Sequence, residues 1–353
     1  GQAVPSFPPP AVALQAAREA IGRPEVDRYT TDPGLPGLRR ALAERLGHVA
    51  NTSIGEDDVI ITAGGNHAAA LALTTLIEAG DEVILPAPWF TNHQMMVVAL
   101  GATPVDAPVG DRASFGLRWD DIEPHITPRT RAVVLCNPSN PTGTPLAEAD
   151  GLRIAGELAQ RGITLISDET YMPFVYEGTH WSAAASPAWR EHIVVIGTFS
   201  KMFGMMGWRV GYMVADASVC AHAIKVQDAM IICAPVISQV AAEAAVRGAW
   251  DYPRTFHAEL QARQQALADG LRAIPGADWT PTAAGMFGLV RIPGCSDSVR
   301  LSLDLVEHAH VVTIPGAAFG AAGEGHLRIS FGFASQDEIT DAVGRLRDYL
   351  AAP

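Results

Sequence analysis

Short runs rich in Val and Ile recur along the first two thirds of the chain. They are Val59–Thr62, Glu82–Leu85, Ala132–Cys136, Ile163–Ser167, Ile193–Gly197 and Val210–Val214. Their apolar residues show no clear alternation with polar ones, the pattern of strands buried on both faces. Helical stretches such as His67–Glu78 and Ala147–Arg161 separate them. Strands alternating with helices predict an α/β unit: a mostly parallel central sheet flanked by helices. The texture changes near Tyr252. Residues Pro253–Ala273 predict a long amphipathic helix, with short strands near Gly288–Ile292, Val311–Ile314 and His326–Phe333. In the last, Leu327, Ile329 and Phe331 share one face, and Arg328 and Ser330 the other. This predicts a second, smaller α+β unit, with a boundary near residue 255.

Composition narrows the classes of function. At 353 residues the chain is long enough for about two domains. With 48% hydrophobic and 18% charged residues it is not intrinsically disordered. No apolar stretch is long enough to span a bilayer, so no membrane role is expected. The net charge of −13 disfavours nucleic acid as a partner. The four cysteines, Cys136, Cys220, Cys233 and Cys295, form no CxxC motif and read as reduced structural thiols. No signal peptide is evident, so a cytoplasmic protein is expected. The eleven histidines form no HxxxH-type pair, so no metal is assigned.

Four motifs carry candidate chemistry. Thr62-Ala63-Gly64-Gly65-Asn66 joins a strand to a helix, and amides at a helix N-terminus suit a phosphate. Taken alone it is more often a tight turn. Asn137-Pro-Ser-Asn140-Pro-Thr-Gly143 is a rigid turn whose Asn140 amide could hold a ligand oxygen. Ser167-Asp168-Glu169-Thr170-Tyr171 puts an acid at the end of a buried strand, where it needs a partner. That partner could be a salt bridge, a helix cap or a cationic ligand nitrogen. The fourth, Gly197-Thr198-Phe-Ser200-Lys201 continuing to Arg209, holds a lysine in an apolar, Gly-rich setting. Desolvation and neighbouring cations lower a lysine pKa, and a neutral amine is a nucleophile. All four motifs follow the carboxyl ends of strands, the edge where open α/β sheets bind ligands. Anion donors, a carboxylate, a hydroxyl partner and an amine together fit pyridoxal 5′-phosphate (PLP).

The same motifs resemble those of fold-type I PLP-dependent enzymes, specifically the class I aminotransferases of the aspartate aminotransferase family. The resemblance runs from Phe7-Pro-Pro-Pro10 to Arg328-Ile-Ser-Phe331. It implies a large PLP-binding domain over 23–255, and a small domain made of 1–22 and 256–353. It implies that Lys201 forms the Schiff base, that Asp168 pairs with the pyridine nitrogen, and that Asn140 and Tyr171 bond the phenolic oxygen. Gly64, Gly65, Asn66, Thr198, Ser200 and Arg209 would hold the phosphate. Phe90 would stack on the ring, with Trp89 the alternative, and His93 would support Asp168. Tyr29 would reach the cofactor of a partner subunit, which implies a homodimer with shared sites. Arg328 would grip the substrate carboxylate, with Ala3, Asn140 and Phe90 beside the substrate. The implied reaction moves an amino group between an L-amino acid and a 2-oxo acid with ping-pong kinetics.

Two positions depart from the family pattern. Ala3 stands where a glycine is frequent. Asn66, followed by His67, stands where the aspartate-type subgroup often carries a lysine for the second carboxylate. Neutral or aromatic side chains are therefore open as substrates. A β-eliminating lyase, a decarboxylase or a synthase on the same lysine chemistry is the runner-up, since sequence does not show which bond breaks. A non-catalytic PLP-binding regulatory domain is disfavoured by the acidic charge. Phe287 is a further candidate for the substrate pocket, and Met202, Met205 and Met206 read as packing.

Overall fold

The computed structural model describes residues 1–110 and 114–351. Residues 111–113 of the expected large domain and 352–353 of the expected small one lie outside the described residues. Seven strands form the central sheet: β1 Val59–Thr62, β2 Glu82–Ala87, β3 Thr103–Pro108, β4 Thr130–Cys136, β5 Thr164–Asp168, β6 Ile193–Thr198 and β7 Gly211–Val214. Their spatial order is β1-β7-β6-β5-β4-β2-β3. The pairs from β3 through β6 are parallel, whereas β7 runs antiparallel to both β6 and β1. The fold is thus α/β with a mostly parallel sheet, and β7 is its reversed member.

Period-two alternation sends successive residues of each strand to opposite faces. Val59, Ile61, Leu165 and Val195 enter one core with Leu42, Trp119 and Phe199. Ile60, Ile166, Val194 and Ile196 enter the other with Leu71, Val83 and Met213. Each such side chain contributes about 1.5–3 kcal/mol on burial, and this two-sided demand is why the runs lack polar positions. Helices supply the matching stripes. Glu148–Gln160 turns Ile154, Ala155 and Leu158 inward and has Glu148 and Asp150 in its first turn, where the helix dipole favours acids.

The sequence pattern missed β3. Its two prolines and its half-exposed residues do not resemble a core strand. It lies at the sheet edge beside β2, where proline is tolerated.

A third core gathers Ala3 and Phe7 with Leu260, Leu267, Phe287, Leu327, Phe331 and Val343. Its sheet is β8 Phe287–Arg291, β9 Ile314–Pro315 and β10 His326–Ser330, all antiparallel in the order β8-β10-β9. The strand expected at Val311–Ile314 is only the two residues of β9. The helix expected over Pro253–Ala273 is a 3-10 turn, Tyr252–Phe256, followed by an α-helix, His257–Arg272. The strand expected to reach Phe333 ends at Ser330.

Candidate active site

Strands β1, β4, β5 and β6 run in the same direction, so the four motifs that follow them meet at one sheet edge. There they line a cavity of about 500 Å³ together with residues of the third core.

Helix Gly65–Leu76 starts directly after β1, so the amides of its first residues, Gly65 and Asn66, face the sheet edge. Gly64 precedes it with φ +90°, a conformation that favours glycine. A Cβ on Gly64 would lie 2.5 Å from Nη2 of Arg209. The Arg209 guanidinium donates to Met206 O (2.9 Å) and Ala63 O (3.2 Å), which fixes it beside the helix start. Thr198 accepts from the Ser200 amide (3.1 Å), and its hydroxyl meets that of Ser200 at 2.9 Å. Helix amides, two hydroxyls and a guanidinium thus form a cradle for an anion.

Lys201 lies in the short helix Phe199–Met202 that follows β6, and lines the cavity. Burial first, then the charges of Arg328 and Arg209, lowers its pKa from 10.5 to about 8. Asp168 ends β5 and is 8% exposed. Its Oδ1 accepts from the Thr170 amide (3.0 Å), and its Oδ2 lies 3.2 Å from His93 Nε2. His93 is itself buried and meets the Phe90 ring edge-on, with centroids 5.3 Å apart. Phe90 lines the cavity. Trp89 is held elsewhere: its indole donates to Asp106 (2.8 Å), and its ring lies against Gly320.

The two asparagines of the turn after β4 have separate tasks. Asn137 bonds Trp181 O (2.7 Å) and the Leu146 amide (2.9 Å), closing the turn. Asn140 accepts from Arg328 Nη1 at 2.9 Å, which leaves its amide N–H donors for a ligand. Tyr171 is buried, its phenol pushed up above the usual range by desolvation, and it packs edge-on against Phe287 at 4.9 Å. Arg328 is 7% exposed and sits between the rings of Phe287 (5.4 Å) and Phe319 (5.2 Å). Its Nη2 donates to Gly1 O (2.9 Å), while its Nε is buried without a partner. A buried guanidinium with an unmet donor suits a carboxylate. The pattern had put Arg328 on the face opposite the core; here that face is the cavity wall.

Three expectations change. Phe287 is fully buried and braces Arg328 and Tyr171 from behind rather than lining the cavity. Cys136, read as a structural thiol, lines the cavity, as does Met206. Sequence reasoning also missed Gln2, Val4, Asn92 and Thr170 on its wall; Ala3 lies between the first two. Thr170 and Cys136 adjoin motifs and could have been found from them. Gln2, Asn92 and Met206 have no local signal. Tyr29 is 76% exposed and does not line this cavity.

The fold is α/β, and an amine, a carboxylate and an anion cradle meet at one edge of its sheet. The family of class I and II aminotransferases matches residues 1–346. An aromatic-amino-acid aminotransferase of Thermococcus litoralis is 30% identical over 98% of this chain and 90% of its own length. A probable N-acetyl-LL-diaminopimelate aminotransferase of Bacillus subtilis is 33% identical over 98% and 87%. The crystal structure of an aromatic aminotransferase from Pyrococcus horikoshii superposes with a TM-score of 0.93 at 28% identity, covering 99% of this chain and 94% of that one. The chain belongs to the class I and II aminotransferase family. It is an aminotransferase, a transferase that moves an amino group between an amino acid and a 2-oxo acid, and not the lyase, decarboxylase or synthase of the runner-up reading.

Proposed function

We propose that the cavity binds PLP and that Lys201 holds it covalently through Nζ. The residues fit such a group: an anion cradle, a buried carboxylate and an amine open into one space of about 500 Å³. That convergence is the observation that carries the reading. When bound, PLP supplies an aldehyde that captures the substrate amine and a ring that draws electrons from Cα.

The chain's own residues do the rest. The amides of Gly64, Gly65 and Asn66, with Thr198, Ser200 and Arg209, would fix the phosphate. Asp168 would keep the ring nitrogen protonated, oriented by His93 and Thr170. Asn140 and Tyr171 would donate to the phenolic oxygen, and Phe90 would cover the ring. Arg328 would hold the substrate carboxylate, placing Cα beside Lys201 Nζ. That amine, once free, would take the proton from Cα and deliver it to the cofactor's C4′.

The side chain of the substrate is neutral or aromatic in this reading. Three cations line the cavity, Lys201, Arg209 and Arg328, and each is already engaged in a role above. Asn66 and Asn92, whose amide Nδ2 donates to Asn66 Oδ1 at 3.2 Å, stand where a second carboxylate would need a cation.

The chain would work as a homodimer in the cytoplasm, with Tyr29 of one subunit reaching the other's phosphate. No helix among the described residues is long and apolar enough to cross a membrane. The proposed division is a large domain, 23–255, and a small one, 1–22 with 256–353.

Borohydride treatment of the PLP-loaded protein followed by peptide mapping tests the reading. A pyridoxyl label on Lys201 is expected; a label on another lysine overturns it. A donor screen by half-reaction absorbance should favour aromatic or neutral amino acids over aspartate.

A further inference from the structure

Cys136 on the cavity wall has no part in the chemistry proposed above, yet it adjoins two side chains that do, Asp168 and His93. Cys136 and Asp168 are register partners on the parallel strands β4 and β5. Partners in a parallel pair project from the same face, so thiol and carboxylate emerge side by side. His93 reaches them from a third element, the helix Thr91–Ala99. The imidazole nitrogen, the thiol sulfur and a carboxylate oxygen all lie within 4.8 Å of one another.

We propose that, in the absence of cofactor, His93, Cys136 and Asp168 bind a zinc-like divalent cation, and that this cation competes with PLP. The competition rests on the reading above that PLP occupies this cavity; the cation site stands without it.

Tetrahedral zinc at ordinary bond lengths places its ligand atoms about 3.3–3.8 Å apart. Nε2 and Oδ2 are already 3.2 Å apart, and the sulfur, within 4.8 Å of both, comes into range by rotation about its Cα–Cβ bond. Imidazole, thiolate and carboxylate select zinc over magnesium or calcium. The ligand charges balance: one thiolate and one carboxylate neutralise a dication. Binding forms a metal–sulfur bond, breaks the Cys136 S–H bond and releases that proton to solvent; nothing is oxidised or reduced. Water from the open cavity fills the fourth position. The Thr170 amide, bonded to Asp168 Oδ1, fixes the carboxylate from outside the metal. Competition follows because the cation and the cofactor ring would both draw on the Asp168 carboxylate in one cavity.

Cobalt(II) added to the cofactor-free protein tests the site. One equivalent per chain with a sulfur-to-cobalt charge-transfer absorption is expected, displaced by zinc and not by magnesium. Cys136→Ala should abolish that absorption and weaken zinc binding at least tenfold. A second variant, His93→Phe, should weaken zinc while Cys136 remains. One equivalent of zinc should slow PLP uptake by the unmodified protein, chelator should restore it, and Cys136→Ala should take up PLP at the same rate with or without zinc. Cobalt bound without the sulfur absorption, or zinc held as tightly by both variants, overturns the proposal by placing the metal elsewhere. Failure of the unmodified protein to take up PLP would overturn the cofactor reading and with it the competition, while the cobalt spectrum still decides the metal site.

Discussion

Arg328 Nη1 donates to Asn140 Oδ1 across 2.9 Å, joining residues 188 positions apart in the chain. The bond ties the small antiparallel sheet to the turn after β4, and through Asn140 it couples the expected carboxylate grip to the expected ring contact. Replacing Asn140 with Ala leaves a buried guanidinium short of a partner. A hydrogen bond to a charged group is worth about 1.5–3 kcal/mol, or roughly ten- to a hundredfold. Asn140→Ala should raise the KM for amino acids by about that factor. Arg328→Lys, which loses the planar fork, should lower kcat/KM by at least as much for every donor. Single-turnover absorbance measurements check both. An unchanged KM in Arg328→Lys would remove the residue from the substrate site.

Lys201 predicts a pH profile. Its pKa is lowered to about 8, chiefly by burial, so its amine becomes neutral well below the range of a solvated lysine. The rate at which the cofactor-free chain captures PLP should climb to about pH 8 and then level off. A rate still climbing toward pH 10 would indicate an exposed lysine. The stability linkage has a definite sign. Between pH 8 and 10.5 the unfolded chain binds the proton and the folded one does not, so this group's contribution to stability rises with pH across that window. Urea titrations of Lys201→Met against the parent protein would reveal it.

Gly64 predicts a phosphate-specific defect. In Gly64→Ala the residue must hold φ 90° and ψ 173°, a region nearly restricted to glycine that costs about 1–3 kcal/mol, and its methyl group meets Arg209. Affinity for PLP should fall tenfold or more, while affinity for pyridoxal, which lacks the phosphate, should fall much less. Equilibrium binding of the two compounds separates a lost cradle from general misfolding, which would weaken both alike.

Tyr29 predicts complementation between subunits. Lys201→Ala and Tyr29→Ala chains should each be poorly active alone. In an equimolar mixture about half of the two-fold dimers are mixed, and each of these has one site with both residues, so about a quarter of wild-type activity should return. Absence of recovery in a mixture shown to exchange subunits would argue against a shared site.

Much of this was legible in the sequence because it is local. Six of the seven central strands announce themselves as apolar runs, since a strand buried on both faces tolerates few polar residues. Gly64, Asn140, Asp168 and Lys201 stand at strand ends, and strand ends are marked by turn chemistry within a few residues. The edge strand Thr103–Pro108 escaped because an exposed edge permits proline.

Tertiary structure decided the rest. That β7 runs against its neighbours, that Phe287 braces Arg328 instead of lining the cavity, and that Cys136 lies beside Asp168 all depend on register and packing between distant segments. Periodicity shows which residues leave the solvent, but not which other segment they meet. Apolar burial has no preferred direction, so the neighbours of Gln2, Asn92 and Met206 were set only when the two cores and the small sheet closed around one edge.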